Sequence, residues 1–397
     1  MPEVTEIRNP LDVASIEVFL KELPKIYTPG RFVPEFETPI DIKQFTFGQS
    51  NPTYLIKDAA GKQFVLRRKP TSNGKLVQKL AHAIEREFYI LNGIQHCNEG
   101  KLLLQKVPIP EVYLLCEDES VIGCVFYVME YVEGRSIKRA DMPEIPKEKQ
   151  KDYWEAIMQT VAAIHSVDYE VLAQHLPPKH FPNVSKQQSA SKSLYFERQL
   201  KTLKKMESLQ STTVEGIPHF DILTKWVLDH SPPDVAARTL IHGDCKIDNL
   251  IFHPTDAKVI AVLDWELCTE GHPLFDLANL LQPFEFPIAL NSLVYRTKEI
   301  SIGRENPASQ DEVKQLLRMY EASLGHPWDS RNPKNNPEDQ WRLGVIFGLL
   351  RLCVISQGIA MRVKKGAASS ASAARYASLY KDLSGLAYAI IGDKSKI

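Results

Sequence analysis

The sequence lacks paired cysteines, an apolar stretch near its first residues and a long apolar run free of polar residues. Its six cysteines include no Cys-x-x-Cys pair and none at metal-ligand spacing from a histidine, which predicts free thiols in a reducing compartment and neither disulfides nor a cysteine zinc site. The N-terminal stretch MPEVTEIRNP is partly acidic and has no apolar core, unlike a signal peptide. The most apolar segment, residues 343–361, contains Arg351 and Gln357, so we expect a buried helix and no membrane span.

An excess of charge of either sign is also missing. The 397 residues carry 48 basic and 49 acidic side chains, for a net charge of −1 at pH 7. A protein that binds nucleic acid or membrane surfaces in general needs a basic excess, so we expect neither kind of partner. The length is sufficient for two packed units with their own apolar cores.

Hydrophobic periodicity divides the chain into two parts. The first third alternates strand-like runs with turns, around one amphipathic helical segment at residues 75–93. From about Lys138 the pattern is mainly helical, apart from short strand-like runs near residues 240–264. The pattern therefore predicts an α+β protein with two lobes: a small β-rich lobe with one key helix at 1–132, and a larger, mainly helical lobe at 133–397.

The stretch HGDCKIDN combines an acid, a cation and an amide in one short loop between two apolar runs. Transfer of phosphate to a hydroxyl needs a carboxylate that accepts the proton, cations for the phosphate oxygens and ligands for magnesium. The spacing matches H-R-D-x-x-x-x-N, the catalytic loop of kinases. It predicts Asp244 as the base, Lys246 as the contact to the transferred phosphate and Asn249 as a magnesium ligand. His242 is expected to hold the turn.

A second acid follows the loop. Asp264 ends the β-branched run VIAVLD fifteen residues after Asn249, and a carboxylate at a strand end can share a metal with a loop amide. Asp264 is therefore predicted to be a magnesium ligand as well. Asp276 begins an apolar helical run, where we expect it to cap the helix or to brace the loop.

The first part of the chain is expected to supply a phosphate cover and a cation. The cover is a turn formed by Gly48, Gln49, Ser50 and Asn51. Its N–H groups and short side chains suit phosphates, although a plain hairpin turn has the same composition. In the strand-like run QFVLRR, alternation places Arg67 on the face of Val65 and Arg68 on the other face. Arg67 is assigned to the nucleotide phosphates, to which a guanidinium offers a planar fork.

The helical segment at residues 75–93 places one acid on its apolar stripe. At about 100° per residue, Glu87 falls within the stripe that Ile84 and Leu91 define, whereas Glu85 points away from it. A carboxylate on a buried stripe needs a partner. Arg67 is the expected partner, in an ion pair like the one that aligns nucleotide in kinases.

The run FYVMEYV ends a strand where the β-rich part of the chain gives way to the helical part. A connection between two lobes offers backbone groups to an adenine. Glu130 and Val132 are the expected contacts, although the sequence does not distinguish their carbonyl groups from their amides.

With these residues in view, the chain resembles the aminoglycoside phosphotransferase and choline-kinase-like superfamily. The order of HGDCKIDN, LDWE and GHPLFDLA carries this resemblance. Within the superfamily, GQSNPTY, LRRKP, AHAIEREF and FYVMEYVEGR resemble the kinase-like domain that some animal proteins carry fused to an acyl-CoA dehydrogenase. The likeness covers about residues 45–280, and the C-terminal helices match only loosely.

The resemblance implies a bilobal protein-kinase-like fold that uses ATP and Mg²⁺ to phosphorylate a hydroxylated small molecule. For the fused relatives it implies a CoA-linked acceptor, a hydroxyacyl-CoA of hydroxy-acid breakdown. Two positions depart from the family pattern: His272 stands where relatives usually carry an aspartate, and Cys245 replaces a commoner aromatic or apolar residue. Both changes are expected to affect the acceptor pocket.

The last three residues, Ser395, Lys396 and Ile397, resemble the peroxisomal address S-K-L. The interpretation is a peroxisomal location, or a cytoplasmic one if the tail is not read as a signal.

Two other functions are open at this stage. A pseudokinase would bind nucleotide without transfer, but it would need no complete set of catalytic groups. A kinase of choline, an amino sugar or an aminoglycoside would need clustered acids for its cationic acceptor, and Glu266, Glu270 and Asp248 are available. The sequence does not indicate an oligomeric state.

Overall fold

The computed structural model describes residues 4–7, 11–26, 33–46, 51–72, 75–76, 84–182, 184, 194–232, 235, 238–366 and 373–392. The strands are β1 (Val4–Thr5), β2 (Asp41–Phe45), β3 (Thr53–Lys57), β4 (Gln63–Arg68), β5 (Thr71–Ser72), β6 (Lys75–Leu76), β7 (Val112–Cys116), β8 (Phe126–Glu130), β9 (Arg135–Ser136), β10 (Leu240–Ile241), β11 (Leu250–Phe252), β12 (Val259–Val262) and β13 (Thr269–Glu270). The helices are α1 (Val13–Ile26), α2 (Ile84–Asn98), α3 (Lys147–His165), α4 (Tyr169–Ala173), α5 (Tyr195–Ser211), α6 (Phe220–His230), α7 (Leu274–Leu280), α8 (Gln282–Glu285), α9 (Ile288–Tyr295), α10 (Pro307–Leu324), α11 (Trp341–Lys364), α12 (Ala373–Tyr376) and α13 (Leu379–Gly392).

Two predicted features lie outside the described residues. They are the phosphate turn at Gly48, Gln49 and Ser50 and the C-terminal tripeptide of Ser395, Lys396 and Ile397. The roles assigned to both features stay predictions.

The chain divides into two compact units. The first comprises Met1–Ile137, Val167–Gln188 and Asp248–Cys268, and the second comprises Lys138–Ser166, Ser189–Ile247 and Thr269–Ile397. The first unit holds most of the strands and the second most of the helices, which confirms the expected α+β class. The separate expectation of a domain boundary after residue 132 stays a prediction.

An antiparallel sheet of six strands, in the order β1-β2-β3-β4-β8-β7, forms the centre of the first unit. Helix α1 packs its apolar stripe on one sheet face, where Phe64 and Leu66 of β4 are buried. The sequence predicts only one helix, α2, in this part of the chain, so α1 is an additional one. Because side chains alternate along a strand, Val65 and Arg67 lie on the opposite face. That face carries α2, so Arg67 is directed at α2 as the sequence predicted.

Helix α2 is shorter at its N-terminus than the sequence pattern indicated. It begins at Ile84, and Lys75–Leu76 instead forms a strand paired with Thr71–Ser72. Glu85, expected to point away from the apolar stripe, is only 5% exposed, because Lys69 from the end of β4 binds its carboxylate. Helical phase alone did not predict this, since the partner that permits burial lies outside the helix.

Helix α11 is the central helix of the second unit. By length and composition it could cross a membrane, but 67% of its most apolar window is buried inside the unit. Two polar residues of this segment make hydrogen bonds there: Arg351 Nη2 donates to Gly243 O over 3.3 Å, and Gln357 Nε2 donates to Ser211 Oγ over 3.1 Å. Gln357 Oε1 is buried without a partner among the described residues. The helix is therefore buried in the core, as expected from the sequence.

The close packing of α11 on α7 predicts opposite effects for two glycine substitutions. A Cβ at Gly344 in α11 would lie 3.0 Å from Leu274 and 3.2 Å from Ala278, both in α7, whereas a Cβ at Gly385 in α13 meets nothing within 4 Å. Gly385→Ala should stabilise the protein by about 0.5–1 kcal/mol through helix propensity. Gly344→Ala should destabilise it by about 1–3 kcal/mol through overpacking. Urea unfolding measures both, and equal stabilisation by the two changes would contradict this packing.

Candidate active site

The first unit brings the predicted cation and its acid together. Arg67 Nη1 lies 2.6 Å from Glu87 Oε1, and the side chains of Arg67 and Glu87 are 9% and 1% exposed. Burial is the largest single effect and would lower the pKa of Arg67, but Glu87, Tyr127 and Asp264 together raise the pKa above its ordinary value. Burial also raises the pKa of Glu87 to about 7, against the pull of Arg67. The carboxylate therefore depends on its donors to stay charged.

Arg67 has a second acidic partner. Its Nη2 lies 3.2 Å from Asp264 Oδ1, while the Asp264 side chain keeps 34% of its surface exposed. The guanidinium thus bridges the helix acid and the predicted magnesium ligand through two different nitrogens. A lysine offers one ammonium in place of two separate nitrogens, which explains the value of arginine at this position.

A strained turn directs Asp264 at Arg67. Asp264 has φ 67° and ψ 57°, in the left-handed region, directly before the 3-10 helix Trp265–Leu267. Such a conformation is uncommon for a residue other than glycine and clusters at functional sites. The Trp265 N–H donates to Glu87 Oε1 over 3.2 Å, and Trp265 Nε1 donates to Val262 O over 2.9 Å. The acid on α2 therefore holds both Arg67 and the turn that carries Asp264.

Asn249 and Asp264 lie at the same end of one β-hairpin. Leu250 of β11 pairs with Val262 of β12, and the Leu263 N–H donates to Asn249 O over 2.9 Å. Asp264 follows Leu263 directly, so the backbone places Asn249 and Asp264 near each other. Both offer the oxygen donors that Mg²⁺ prefers, and this donor set fits the predicted metal.

Asn51 also contacts the turn that carries Asp264, although it lies far from this turn in the sequence. It is fully buried, and its Nδ2 donates to Glu266 Oε2 over 3.1 Å. Its Oδ1 has no hydrogen-bond partner within the part of the chain that the structure describes. The contact to Glu266 was not predicted from sequence, because no spacing rule relates residues 215 positions apart.

The two predicted adenine contacts lie at the end of β8. Glu130 donates its N–H to Glu111 O over 2.7 Å, and its Oε2 accepts from the Glu111 N–H over 3.1 Å. Val132 follows, partly exposed. These bonds fix the course of the chain at this point, while the contacts to adenine stay a prediction.

The second unit holds the predicted base and its neighbouring cation. Asp244 Oδ2 lies 3.0 Å from Lys246 Nζ, with side chains 22% and 43% exposed. The Asp244 N–H donates to His242 Nδ1 over 3.2 Å, and His242 is fully buried. His242 therefore holds the turn, the structural role that the sequence indicated.

Asp276 braces this loop from α7. Its carboxylate accepts from the N–H groups of His242, over 2.6 Å, and Gly243, over 2.9 Å. Although burial opposes it, hydrogen bonding to His165 and to the loop lowers the pKa of Asp276, which keeps the buried carboxylate charged. The bracing role considered for Asp276 on sequence grounds is the one that the structure displays.

A buried chain of hydrogen bonds, missed by the sequence analysis, continues behind Asp276. His165 Nε2 lies 3.2 Å from Asp276 Oδ2, and its Nδ1 lies 2.8 Å from Tyr320 Oη, to which Trp328 Nε1 donates over 3.0 Å. The available signal was weak: a histidine at the end of an amphipathic helix more often has a packing role. Together these side chains fix Asp276, and through it the loop of Asp244.

The two departures from the family pattern are both buried. His272 Nδ1 accepts from the Leu274 N–H over 3.2 Å, so it takes over the acceptor role that an acid has at the start of a helix. Burial lowers the pKa of His272 to about 3, which keeps the ring neutral. Cys245 is 2% exposed, and its carbonyl accepts from Asn279 Nδ2 over 3.0 Å. Their expected effect on an acceptor pocket stays a prediction.

Comparison with known proteins is consistent with this set of groups. The sequence model described as "Phosphotransferase enzyme family" matches residues 41–305. Acyl-CoA dehydrogenase family member 10 of Mus musculus is 34% identical over 98% of this chain, yet the match covers 32% of that protein. The chain thus spans about a third of the length of this relative.

Solved structures share the fold. A structure from Ralstonia eutropha described as a candidate aminoglycoside phosphotransferase has a TM-score of 0.70 and 28% identity, and covers 96% of this chain and 99% of its own. An amicoumacin kinase in complex with AMP-PNP and Ca²⁺ has a TM-score of 0.51 and 15% identity, over 87% of this chain and 90% of its own. The second likeness concerns the fold alone.

The family match spans more than half of the chain, and the family and its neighbours support a small-molecule kinase. The fold is the kinase-like fold of the aminoglycoside phosphotransferases, as the sequence motifs implied. The chain belongs to the phosphotransferase enzyme family.

Proposed function

We propose that the protein transfers the γ-phosphoryl group of ATP, with magnesium, to a hydroxyl of a small molecule, and that the acceptor is a hydroxyacyl-CoA or a hydroxy acid of fatty-acid breakdown. The observation that carries the transfer reaction is the hold on Arg67 by Glu87, at 2.6 Å, and Asp264, at 3.2 Å. In this arrangement the cation proposed to bind phosphate contacts the proposed metal ligand Asp264 directly, while the buried Glu87 holds it from α2.

Each predicted residue then has a separate task. Asp244 would accept the proton of the acceptor hydroxyl, whose oxygen forms the new bond to phosphorus while the bond between phosphorus and the bridging oxygen of ADP breaks. Lys246, 3.0 Å from Asp244, would offset the charge of the transferred group. Arg67 would contact the nucleotide phosphates. Asn249 and Asp264 would hold Mg²⁺, which supplies charge neutralisation at the phosphate oxygens.

The acceptor class is supported by the relatives. The mouse relative is named as an acyl-CoA dehydrogenase family member, and a kinase unit within such a chain would act on a related acyl compound. Against a cationic acceptor, two of the three acids considered for it are occupied. Glu266 accepts from Asn51 over 3.1 Å, and Glu270 accepts from Arg238 Nη2 over 2.9 Å.

A peroxisomal location is a further proposal. It rests on Ser395, Lys396 and Ile397, because this tripeptide resembles a peroxisomal address. The location would also agree with an acyl-CoA acceptor. A cytoplasmic location is the alternative.

Removal of the base should separate binding from transfer. Asp244→Asn should lower phosphoryl transfer by about 10²–10⁴-fold, because the amide cannot accept the hydroxyl proton. Nucleotide affinity should remain, as should the fold.

Asp248→Asn, a change of an exposed acid in the same loop, is the matched control and should keep its activity. Transfer is measured as phosphorylated acceptor by mass spectrometry. Near-normal turnover of Asp244→Asn would remove the proposed base, and nucleotide binding without any transfer by the wild type would favour a pseudokinase.

The acceptor proposal predicts a preference for the CoA thioester. Hydroxyacyl-CoA should be phosphorylated with a higher kcat/KM than the free hydroxy acid, choline or an aminoglycoside. Cations on α5 would bind the phosphates of the carrier: Lys201 and Lys205 are exposed beside Arg198, while Phe196 and Leu203 are buried on the opposite side of the helix.

Neutralising Arg198, Lys201 and Lys205 to Gln should therefore raise the acceptor KM and reduce its dependence on salt, with ATP affinity unchanged. Lys225→Gln on α6, whose side chain is 75% exposed, is the matched control. Equal kcat/KM for the thioester and the free acid would contradict the carrier, and a preference for choline or an aminoglycoside would replace the acceptor class.

A further inference from the structure

The first unit contains a second group of potential metal ligands. Glu85, Glu117 and His180 each offer a ligand atom, and these three atoms lie within 4.8 Å of one another. Glu85 belongs to the first turn of α2, Glu117 follows β7, and His180 follows α4. Three separate segments therefore converge on a point that takes no part in the proposed phosphoryl transfer.

One carboxylate of the group is buried and only half satisfied. Glu85 is 5% exposed, and its Oε1 accepts from Lys69 Nζ. Its Oε2 is buried without a hydrogen-bond partner in the ranges that the structure describes. A buried carboxylate oxygen that has lost water and gained no donor is unfavourable, so this atom is available to a cation.

The histidine of the group is held in place. Its ring stacks on Tyr89, with centroids 5.4 Å apart and an angle of 27°, and its carbonyl accepts from Arg86 Nη1 over 2.8 Å. The Arg86 guanidinium itself lies over the ring of Phe181, 4.3 Å from its centroid. These contacts limit the motion of the imidazole, and a ligand side chain that is held by packing binds a metal more precisely than a mobile one.

We propose that Glu85, Glu117 and His180 bind one divalent transition-metal ion of the Zn²⁺ type, separate from the magnesium of the nucleotide. An imidazole nitrogen with two carboxylate oxygens suits zinc, whereas magnesium prefers oxygen ligands alone. Ligands about 2.0–2.2 Å from a tetrahedral zinc ion lie about 3.4 Å apart. His180 Nε2 and Glu117 Oε1, at 3.0 Å, are near that spacing.

A lysine competes with the metal. Lys179 Nζ lies 2.7 Å from Glu117 Oε1, but its side chain is 69% exposed, so it can turn into solvent at little cost. Metal binding would displace this ammonium and the proton that His180 Nε2 shares with Glu117. Lys69 would remain on Glu85 Oε1, since Oε2 is the atom without a partner. The alternative is a set of ion pairs that binds no metal.

The ion would act close to the proposed active site. Glu85 and Glu87 belong to the first turn of α2, and Glu87 holds Arg67. A metal that joins Glu85 to Glu117 and His180 would fix that turn against two other segments of the same unit. Its occupancy would therefore stabilise the helix end that carries the nucleotide-aligning acid.

Zinc titration of the tag-free full chain tests the proposal. Binding is measured by competition with a chromogenic chelator, without nucleotide and with excess Mg²⁺ to saturate the magnesium ligands. We expect one Zn²⁺ per chain, and at least about a tenfold loss of affinity in His180→Ala and Glu117→Gln. Lys179→Ala should bind zinc more tightly than the wild type, because it removes the competitor. His326→Ala, an exposed histidine of the second unit, is the matched control and should not change affinity.

Two outcomes would overturn the site. If both the wild type and Lys179→Ala bind less than one zinc ion per chain, the cluster is a set of ion pairs that binds no metal. Equal affinity of His180→Ala and the wild type would place any bound zinc elsewhere. Lys179→Ala changes an exposed side chain and should keep the fold, so the test does not depend on variants of the buried Glu85.

Discussion

The pairing of the buried Arg67 is the constraint on which the first unit depends. A guanidinium at 8% exposure is costly unless its charge is matched and its donors are satisfied. Glu87 and Asp264 match the charge and bind the two Nη atoms from two different elements, α2 and the turn after β12, whereas Nε has no partner among the described residues. The sheet, the helix and the turn must therefore come together for the charge to be tolerated, and when they do, a cation lies beside Asp264, the proposed magnesium ligand. Stability and chemistry depend on the same contact.

The second unit also contains a buried charge that needs partners, in this case a negative one. Asp276 is fully buried, and its charge is balanced by two backbone N–H groups of the loop and by His165. Because the two N–H groups belong to the loop of Asp244, satisfying the buried acid also fixes the candidate base. In both units a buried charge far from solvent sets the geometry of a residue that is partly exposed. Contacts with buried partners of this kind keep an active-site group in position.

Local patterns in the sequence were sufficient to predict the Arg67–Glu87 contact of this site. Alternation in QFVLRR placed Arg67 on the α2 face, helical phase placed Glu87 on the buried stripe, and their contact at 2.6 Å followed from the need of a buried acid for a partner. Long-range pairings were not accessible in this way. The Arg67–Asp264 contact joins residues 197 positions apart, and the His165–Asp276 contact joins residues 111 apart. The burial of Glu85 was missed for the same reason, since its partner Lys69 lies beyond the helix.

The most direct test of the central claim is a double-mutant cycle of Glu87→Gln and Arg67→Met, with kcat/KM for ATP as the measured quantity. Both substitutions keep the volume of the side chain and remove its charge. If Glu87 acts by holding Arg67, the second change should add little to the first, with a coupling energy of about 1–3 kcal/mol. Losses that add within about 0.5 kcal/mol would show that the two residues act independently, and would contradict the account.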